Sequence, residues 1–429
     1  MNGKSLMSDI VSFADVAQPI VSFSRSDPAD ALVLKLIDTK WFQRLRDVSQ
    51  TANTRLVYMF SEHSRFGHSI GVAYLAKLLL ESLEEHQPEE VRQYKSAIQA
   101  AALLHDIGHI APGSHTAYKT WFPNSVDAHE RIGCQIIRED PEISTILKEI
   151  DPELPELVIR ILQEDDSLPP WTWEVISGGA WNADRGNWCI VDSVMAGVSY
   201  GQYNVAALIG SLHISDDQNL AIRENRLDAL MHFSLSRHAM YRQIYQHRTL
   251  MAADMLNVAI AKRLRDLPED AYFADAPMRS VLSSTTPLEL SLQTIFQLRE
   301  GWWRYHLLQW QDSPDPILAD LTQRLLHRQL LKTVRILPDE DAEVLLAKAE
   351  EAVRSIGYDP SYYLHRFHLS HMHRGDSKHA LKVLQDNGQL VSLGTAEPLF
   401  EQLVEETDTP QREWIALPAN AKEQLGRKR

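Results

Sequence analysis

The sequence of 429 residues is long enough for two or three domains, and its 44% hydrophobic and 24% charged residues are typical of a globular protein. The 43 Lys and Arg residues against 58 Asp and Glu residues give a formal charge of −15, which argues against general nucleic-acid binding. Two cysteines cannot form a disulfide framework, and no apolar run approaches the length of a membrane-spanning helix. We therefore expect a cytoplasmic protein without membrane attachment.

Apolar residues recur at helical spacing along most of the chain. The clearest stripe comprises Val72, Leu75, Ala76, Leu79 and Leu83. Similar segments cover residues 98–104, 128–138, 143–163, 190–200, 225–265, 286–310 and 315–335. Breaks fall at Pro169-Pro170, Gly178-Gly179 and Pro314. This pattern predicts a mainly α protein without internal repeats.

The pattern changes after Leu337-Pro338. A helix is predicted over residues 341–356, followed by short segments at 362–372, 379–384 and 389–391 around the turn Asp386-Asn387-Gly388. We expect an N-terminal segment of residues 1–30, a multi-helix core of residues 31–337, and a small C-terminal α+β domain of residues 338–429.

Histidines are concentrated in one part of the predicted helical core. Seven of the 18 histidines lie between His63 and His129. His105 and Asp106 are adjacent at the end of an apolar segment, and His68 opens another. Imidazole and carboxylate ligands suit Fe, Mn, Zn or Mg-type ions, and metal sites of helical proteins take ligands from several helices. His68, His105 and Asp106 are therefore candidate metal ligands.

Several stretches around this cluster occur together in one order. They are F-Q-R-L-R-D-V-S-Q (Phe42 to Gln50), S-R-F-G-H-S (Ser64 to Ser69), A-L-L-H-D-I-G-H (Ala102 to His109), His129-Glu130, A-D-R (Ala183 to Arg185) and Y-Q-H-R (Tyr245 to Arg248). Over roughly residues 31–335 the chain resembles the HD-domain phosphohydrolases. Within them it is similar to the deoxynucleoside triphosphate triphosphohydrolases, the branch of the dGTPase-like enzymes and the vertebrate sterile-alpha-motif and HD-domain enzyme.

The resemblance implies a metal centre and a set of catalytic side chains. The implied metal ligands are His68, His105, Asp106 and Asp184, around a divalent ion such as Fe, Mn or Zn, while Mg²⁺ or Mn²⁺ accompanies the nucleotide. The implied catalytic residues are His109, His115, His129 and Glu130. A pocket histidine titrates near neutrality and suits protonation of the departing 5′-oxygen, a role that we assign to His115, with His129 second.

The resemblance also implies which residues bind the nucleotide. Arg65, Arg185 and Arg237 match phosphate-binding cations, and Gln50 matches a contact to the nucleoside. Tyr245 matches the ring that excludes a 2′-hydroxyl, and Asp192 matches the carboxylate that takes the 3′-hydroxyl. Two positions depart from the family pattern: Trp188 stands at the place of a sugar-edge tyrosine, and Tyr118 stands where an acidic residue is usual.

The predicted function is metal-dependent hydrolysis of deoxynucleoside triphosphates to deoxynucleoside and triphosphate. One alternative is an HD phosphatase or phosphodiesterase acting on nucleoside monophosphates or cyclic nucleotides. Another is a nucleotide-sensing regulatory protein with a weakened site. The family resemblance further implies a homo-oligomer and leaves room for a nucleotide activator, and the Trp-rich segment 302–310 is a candidate interface.

Overall fold

The computed structural model describes residues 9–113, 117–125, 128–178, 181–369, 381–399 and 412–426. The first helices of the chain are α1 (Pro28–Ile37), α2 (Lys40–Arg44), α3 (Arg65–Glu84), α4 (Pro88–Leu104) and α5 (Ala117–Trp121). The next are α6 (His129–Glu139), α7 (Pro141–Lys148), α8 (Leu154–Leu162), α9 (Trp171–Glu174), α10 (Ala183–Met195), α11 (Val205–Ile209) and α12 (Leu227–Met240). A π-helical turn, Tyr241–Tyr245, follows α12 directly.

The remaining helices extend to the end of the described chain. They are α13 (Arg248–Asp266), α14 (Ala276–Ser283), α15 (Leu292–Gln297), α16 (Glu300–Trp310), α17 (Pro316–Leu326), α18 (Ala342–Ser355), α19 (Pro360–Tyr363), α20 (Leu393–Ala396) and α21 (Ala419–Gln424). Short 3-10 turns occur at Leu45–Asp47, Ala52–Leu56, Glu224–Arg226 and Pro287–Glu289. The prediction of a mainly α protein is confirmed.

Asp-Pro pairs start several of these helices. In α1, α7 and α17 the carboxylate of Asp27, Asp140 or Asp315 accepts backbone N–H groups of the first turn, and proline occupies the first helical position. Asp is a strong N-cap, and proline is tolerated there because its missing N–H has no partner inside the helix. These helix starts are therefore encoded locally in the sequence.

The centre of the fold is α3, which packs against α4 and α10. All five residues of its predicted apolar stripe are buried. Helix α4 also contacts α1 and α8, so α3 and α4 lie inside a shell of other helices. This packing brings the N-terminal turns of α3 and α10 close to the C-terminal end of α4, which is where the predicted metal ligands are found.

Strands form three small sheets. A hairpin of β1 (Ile10–Phe13) and β2 (Val21–Ser24) precedes α1. A second sheet has the order β3 (Leu212–Ile214), β4 (Leu220–Arg223), β7 (Lys382–Leu384) and β8 (Leu390–Ser392). The third has the order β5 (Lys332–Arg335), β9 (Arg412–Leu417) and β6 (His365–Leu369).

Two of these sheets cross the predicted boundary at residue 337. Strand β4 pairs in parallel with β7, and β5 pairs with β9. The predicted helical segment 315–335 is wrong at its end, because α17 stops at Leu326 and residues 332–335 form β5. The three-part division of the chain stays a prediction, and the sheets attach its C-terminal part to the helical body.

The tryptophan-rich helix α16 turns one face toward the core of the protein. Trp303 and Trp310 are 4% and 1% exposed, and Trp302 donates through Nε1 to Asp275 at 3.0 Å. The expected role of this segment as an aromatic interface is therefore wrong for Trp303 and Trp310, because their rings already pack against the chain's own core. Among the described residues, no helix combines the length and apolarity needed to cross a membrane.

Candidate active site

Four of the predicted metal ligands converge where α3, α4 and α10 meet. Nε2 of His68 lies 3.0 Å from Oδ1 of Asp184 and 3.6 Å from Oδ2 of Asp106. Nε2 of His105 lies 3.6 Å from Oδ1 of Asp184 and 3.5 Å from Oδ1 of Asp106. His68, His105 and Asp184 each bring one ligand atom to within 4.8 Å of the others, and Asp106 lies beside both histidines.

Contacts on the outer side of each imidazole orient the ligand atoms. Nδ1 of His68 lies 2.9 Å from the side-chain oxygen of Asn187, and Nδ1 of His105 lies 2.9 Å from the carbonyl oxygen of Ala102. Nδ1 of each ring therefore points to an outer oxygen, and Nε2 is the nitrogen that faces the carboxylates, where it would bind a cation after losing its proton. This donor set fits a divalent transition-metal ion.

Glycine at position 71 permits the close approach of α3 and α10. A Cβ atom there would collide with the side-chain amide of Asn187, the residue that orients His68. Asn187 itself is 1% exposed. The packing of the two helices and the orientation of a candidate ligand are therefore set by the same contact.

The charged groups of the cluster shift one another's pKa values. Burial opposes ionisation of Asp106, but Arg65, whose guanidinium lies 2.6 Å from its Oδ2, and His105 together hold the pKa of Asp106 well below its usual range. Burial likewise opposes the charge on His105, but Asp106 and Asp184 raise its pKa to about 9. Burial also opposes ionisation of Asp184, but His105 and His68 hold the pKa of Asp184 well below its usual range. Both carboxylates are ionised and ready to bind a cation.

Two further histidines stand beside Asp106. Nε2 of His109 lies 3.2 Å from Oδ1 of Asp106, and the rings of His109 and His129 stack at 4.1 Å with an interplanar angle of 16°. Burial and the charge of Arg65 hold the pKa of His109 well below its usual value, so His109 is neutral. Asp106, His109 and His129 form a second group of closely spaced potential ligands.

A cavity of about 100 Å³ opens over the cluster. Its walls include five residues of the predicted site besides the metal ligands, namely Gln50, Arg65, His129, Glu130 and Trp188. An apolar wall is formed by Ile161, Leu162 and Ile176. The volume is below the roughly 300–1,000 Å³ of typical ligand pockets, so a whole nucleotide requires these walls to move apart.

The predicted sugar contacts, Tyr245 and Asp192, lie close to Trp188. The ring of Trp188 packs edge-on against Tyr245 with a centroid distance of 5.3 Å. The phenol of Tyr245 donates to Oδ2 of Asp192, and Nε2 of His63 lies 2.7 Å from the other carboxylate oxygen. Asp192 and Tyr245 are thus in contact with each other, and Tyr245 contacts Trp188, which lines the cavity.

Other predicted residues lie outside the cavity lining. Arg185 is on α10, and Arg237 is buried on α12 with its guanidinium 5.2 Å from the ring of Tyr241. Neither is among the described residues that line the cavity, so their phosphate-binding roles stay predictions. His115 lies outside the described residues. Tyr118 is fully buried, and its hydroxyl donates to the carbonyl of Gly108 at 2.6 Å.

Two buried charged residues that the motifs did not single out as site residues hold the loop after α4. Arg44 donates to the carbonyl oxygens of His109, Ile295 and Leu298. Glu300, at the start of α16, accepts the backbone N–H of Gly113 at 2.5 Å. Arg44 belongs to the F-Q-R-L-R stretch, and its place in this motif was the sequence signal that could have identified it. The sequence around Glu300 offers no such signal.

Comparisons with known proteins agree with this geometry. An HD-domain profile matches residues 65–167, which contain three of the four metal-ligand candidates. The protein YwfO of Bacillus subtilis is 30% identical over 384 residues, which cover 87% of this chain and 86% of that protein. The chain belongs to the HD-domain phosphohydrolase superfamily.

Two further relatives connect this HD phosphohydrolase to named proteins. The deoxynucleoside triphosphate triphosphohydrolase SAMHD1 of Danio rerio is 28% identical over 251 residues, which cover 51% of this chain and 40% of that protein. The crystal structure of a phosphohydrolase from Bacteroides thetaiotaomicron has a TM-score of 0.77 at 21% identity and covers 95% of this chain. The second likeness shows a shared fold. Together with the His/Asp cluster, membership of the superfamily supports a metal-dependent phosphohydrolase.

Proposed function

We propose that this HD phosphohydrolase cleaves deoxynucleoside triphosphates to deoxynucleoside and triphosphate. The observation that carries the proposal is the position of Arg65. Arg65 is 2% exposed, and its guanidinium binds Asp106 of the metal cluster. The residue lines the same cavity as Gln50 and Trp188. A buried cation beside a metal centre suits a substrate whose reacting atom is phosphorus.

The chain's own residues supply the remaining steps. His68, His105, Asp106 and Asp184 would hold a divalent ion, which when bound would lower the pKa of water and neutralise phosphoryl charge. Arg65 stabilises charge that develops on the α-phosphate oxygens. The O5′–Pα bond breaks as the water oxygen bonds to the α-phosphorus. The water gives up one proton to the solvent, the 5′-oxygen takes a proton from a pocket histidine, and the solvent later returns a proton to that histidine. We propose His115 for this proton, with His129, which lines the cavity, as the second candidate.

The sugar preference follows from Tyr245 and Asp192. The phenol stays protonated because burial and Asp192 raise the pKa of Tyr245 well above its usual value. A buried carboxylate next to this ring can accept a bond from a sugar hydroxyl, and the proposal places the ring where it would collide with a 2′-oxygen. The proposal therefore favours a 2′-deoxy sugar with a free 3′-hydroxyl.

The alternatives make different demands on the site. A monophosphatase or a cyclic-nucleotide phosphodiesterase would not require the three predicted phosphate-side arginines, of which Arg65 lines the described cavity. A sensor would not require a complete set of metal ligands. A second part of the proposal is a nucleotide activator of a homo-oligomer. A cleft of about 540 Å³ near β5 supports it, because its lining includes five cations and one indole and, among the residues that the structure describes, no carboxylate. These residues are Arg248, Arg328, Lys332, Arg335, Lys422 and Trp414.

The substrate class is tested by comparing matched deoxyribo- and ribonucleoside triphosphates in the presence of Mn²⁺. We expect kcat/KM at least about tenfold higher for the deoxynucleotide, since steric exclusion costs more than one hydrogen bond of about 0.5–1.5 kcal/mol. Tyr245→Ala should admit ribonucleotides, while Tyr305→Ala, an exposed tyrosine on α16, should not. Equal kcat/KM values for the two sugars in the unmodified protein would contradict the assignment.

A further inference from the structure

His63 is a buried histidine that neither the motifs nor the metal cluster accounts for. Its side chain is 11% exposed, and its Nε2 lies 2.7 Å from Oδ1 of Asp192, whose side chain is 3% exposed. Tyr245 donates to Oδ2 of the same carboxylate. Asp192 therefore has one donor on each oxygen.

The directions of these hydrogen bonds follow from the chemistry of the three groups. The buried phenol of Tyr245 keeps its proton beside the carboxylate and donates it. A carboxylate only accepts, so Nε2 of His63 is protonated and donates as well. Each carboxylate oxygen has two lone pairs and keeps one after these bonds. Asp192 can thus accept a hydroxyl of a ligand while His63 and Tyr245 hold it in place.

Hydrogen bonds and ring contacts also connect His63 to residues on two different walls of the cavity. Its carbonyl oxygen accepts the backbone N–H of Gln50 at 3.0 Å, next to a β-bridge between Ser49 and Ser64. Through Asp192 and Tyr245 it is connected to Trp188 on another side. Within the described part of the chain, the buried Oε1 of Gln50 and Nδ1 of His63 have no hydrogen-bond partner. Both atoms can therefore form a further hydrogen bond with a ligand.

We propose that His63 is a positioning residue that determines recognition of the sugar 3′-hydroxyl. Its imidazole fixes the rotation of the Asp192 carboxylate, and its main chain fixes Gln50, so that the two contacts present a constant geometry to the sugar. This inference rests on the proposed deoxynucleotide substrate. It assigns to His63 no proton transfer and no contact with the phosphates.

The test compares a deoxynucleoside triphosphate with its 3′-deoxy analogue in kinetics of the full-length metal-loaded protein. The variants are His63→Leu, which removes the donor, and His63→Gln, whose side-chain amide can donate near the Nε2 position. His306→Gln is the matched control, because His306 is fully buried and lies 3.4 Å from a carboxylate of Asp275. The melting temperature of each variant is measured alongside.

We expect the wild-type preference for the 3′-hydroxyl, read as the ratio of the two kcat/KM values, to fall about fivefold or more in His63→Leu. The loss should appear mainly in KM, and His63→Gln should restore part of it. His306→Gln should keep the wild-type ratio even if it melts at a lower temperature. A merely structural role of His63 would lower the melting temperature and reduce turnover of both substrates equally.

The outcomes separate this inference from the proposed function. An active wild-type protein whose ratio is unchanged in a folded His63→Leu variant overturns the role of His63 alone. If the leucine variant does not fold, His63→Ala, which also lacks the donor, takes its place, and an unchanged ratio in the folded alanine variant overturns the role. A wild-type protein that hydrolyses no deoxynucleotide overturns the proposed function and this inference with it.

Discussion

Gly71 shows how much a single residue decides in this site. A methyl group at position 71 meets the Asn187 amide that orients His68. Gly71→Ala should therefore lower metal content at limiting metal and destabilise the fold by roughly 1–3 kcal/mol through overpacking. Gly67→Ala is the matched control on the same helix, since nothing lies within 4 Å of its added Cβ. It should be neutral or slightly stabilising, because alanine is the better helix former.

Elemental analysis after dialysis, together with thermal unfolding, checks this pair. Full metal occupancy in Gly71→Ala, with a melting temperature equal to that of Gly67→Ala, would mean that Asn187 does not hold the ligand. The sequence could single out His68, His105, Asp106 and Asp184 as candidate ligands, because they belong to short motifs, and the structure brings these four side chains close together. It could not predict that Asn187 orients His68 or that His63 contacts Asp192, because these contacts join residues far apart in the chain.

At the scale of elements, Glu174 joins α9 to β4. Its carboxylate accepts the backbone N–H of Leu220 at 2.5 Å, and burial raises its pKa from 4.5 to about 7. The unfolded chain loses this proton near pH 4.5, whereas the folded protein keeps it up to about pH 7. The folded state thus binds more protons between these values, so the free energy of unfolding falls as the pH rises from 4.5 to 7, by up to about 3 kcal/mol.

Glu174→Gln removes this pH dependence, because the amide is neutral and its oxygen can still accept from Leu220. Denaturant unfolding at pH 5 and pH 8 should show the wild type losing more stability than Glu174→Gln. Glu351→Gln, an exposed position on α18, should behave like the wild type. Parallel pH profiles for the wild type and Glu174→Gln would contradict the raised pKa.

The same scale shows the limits of periodicity. The stripe on α3 predicted its buried face because helix-helix packing repeats every three to four residues. Residues 332–335 continued an apolar pattern and yet form β5, because pairing with β9, about 80 residues later, outweighs local propensity. The hairpin of β1 and β2 fell in a segment for which no element was predicted.

For the whole molecule, the cationic cleft stands out against a formal charge of −15. If it binds an activating nucleotide, adding increasing amounts of a second nucleoside triphosphate at fixed substrate should accelerate turnover to a plateau. The double variant Lys332→Glu and Arg335→Glu should abolish that acceleration, since it reverses two charges in the cleft. Lys148→Glu, exposed on α7, is the control. Equal activation of the wild type and the double variant would show that the activator binds elsewhere or is not needed.

The central claim is that water attacks the α-phosphorus of a deoxynucleoside triphosphate. The most direct measurement is product analysis by chromatography and mass spectrometry in ¹⁸O-enriched water, with metal-loaded protein and the Asp106→Ala variant as the blank. We predict deoxynucleoside without label, triphosphate carrying one ¹⁸O atom, and no turnover in the blank. Release of pyrophosphate or inorganic phosphate, or label in the nucleoside, would contradict the account.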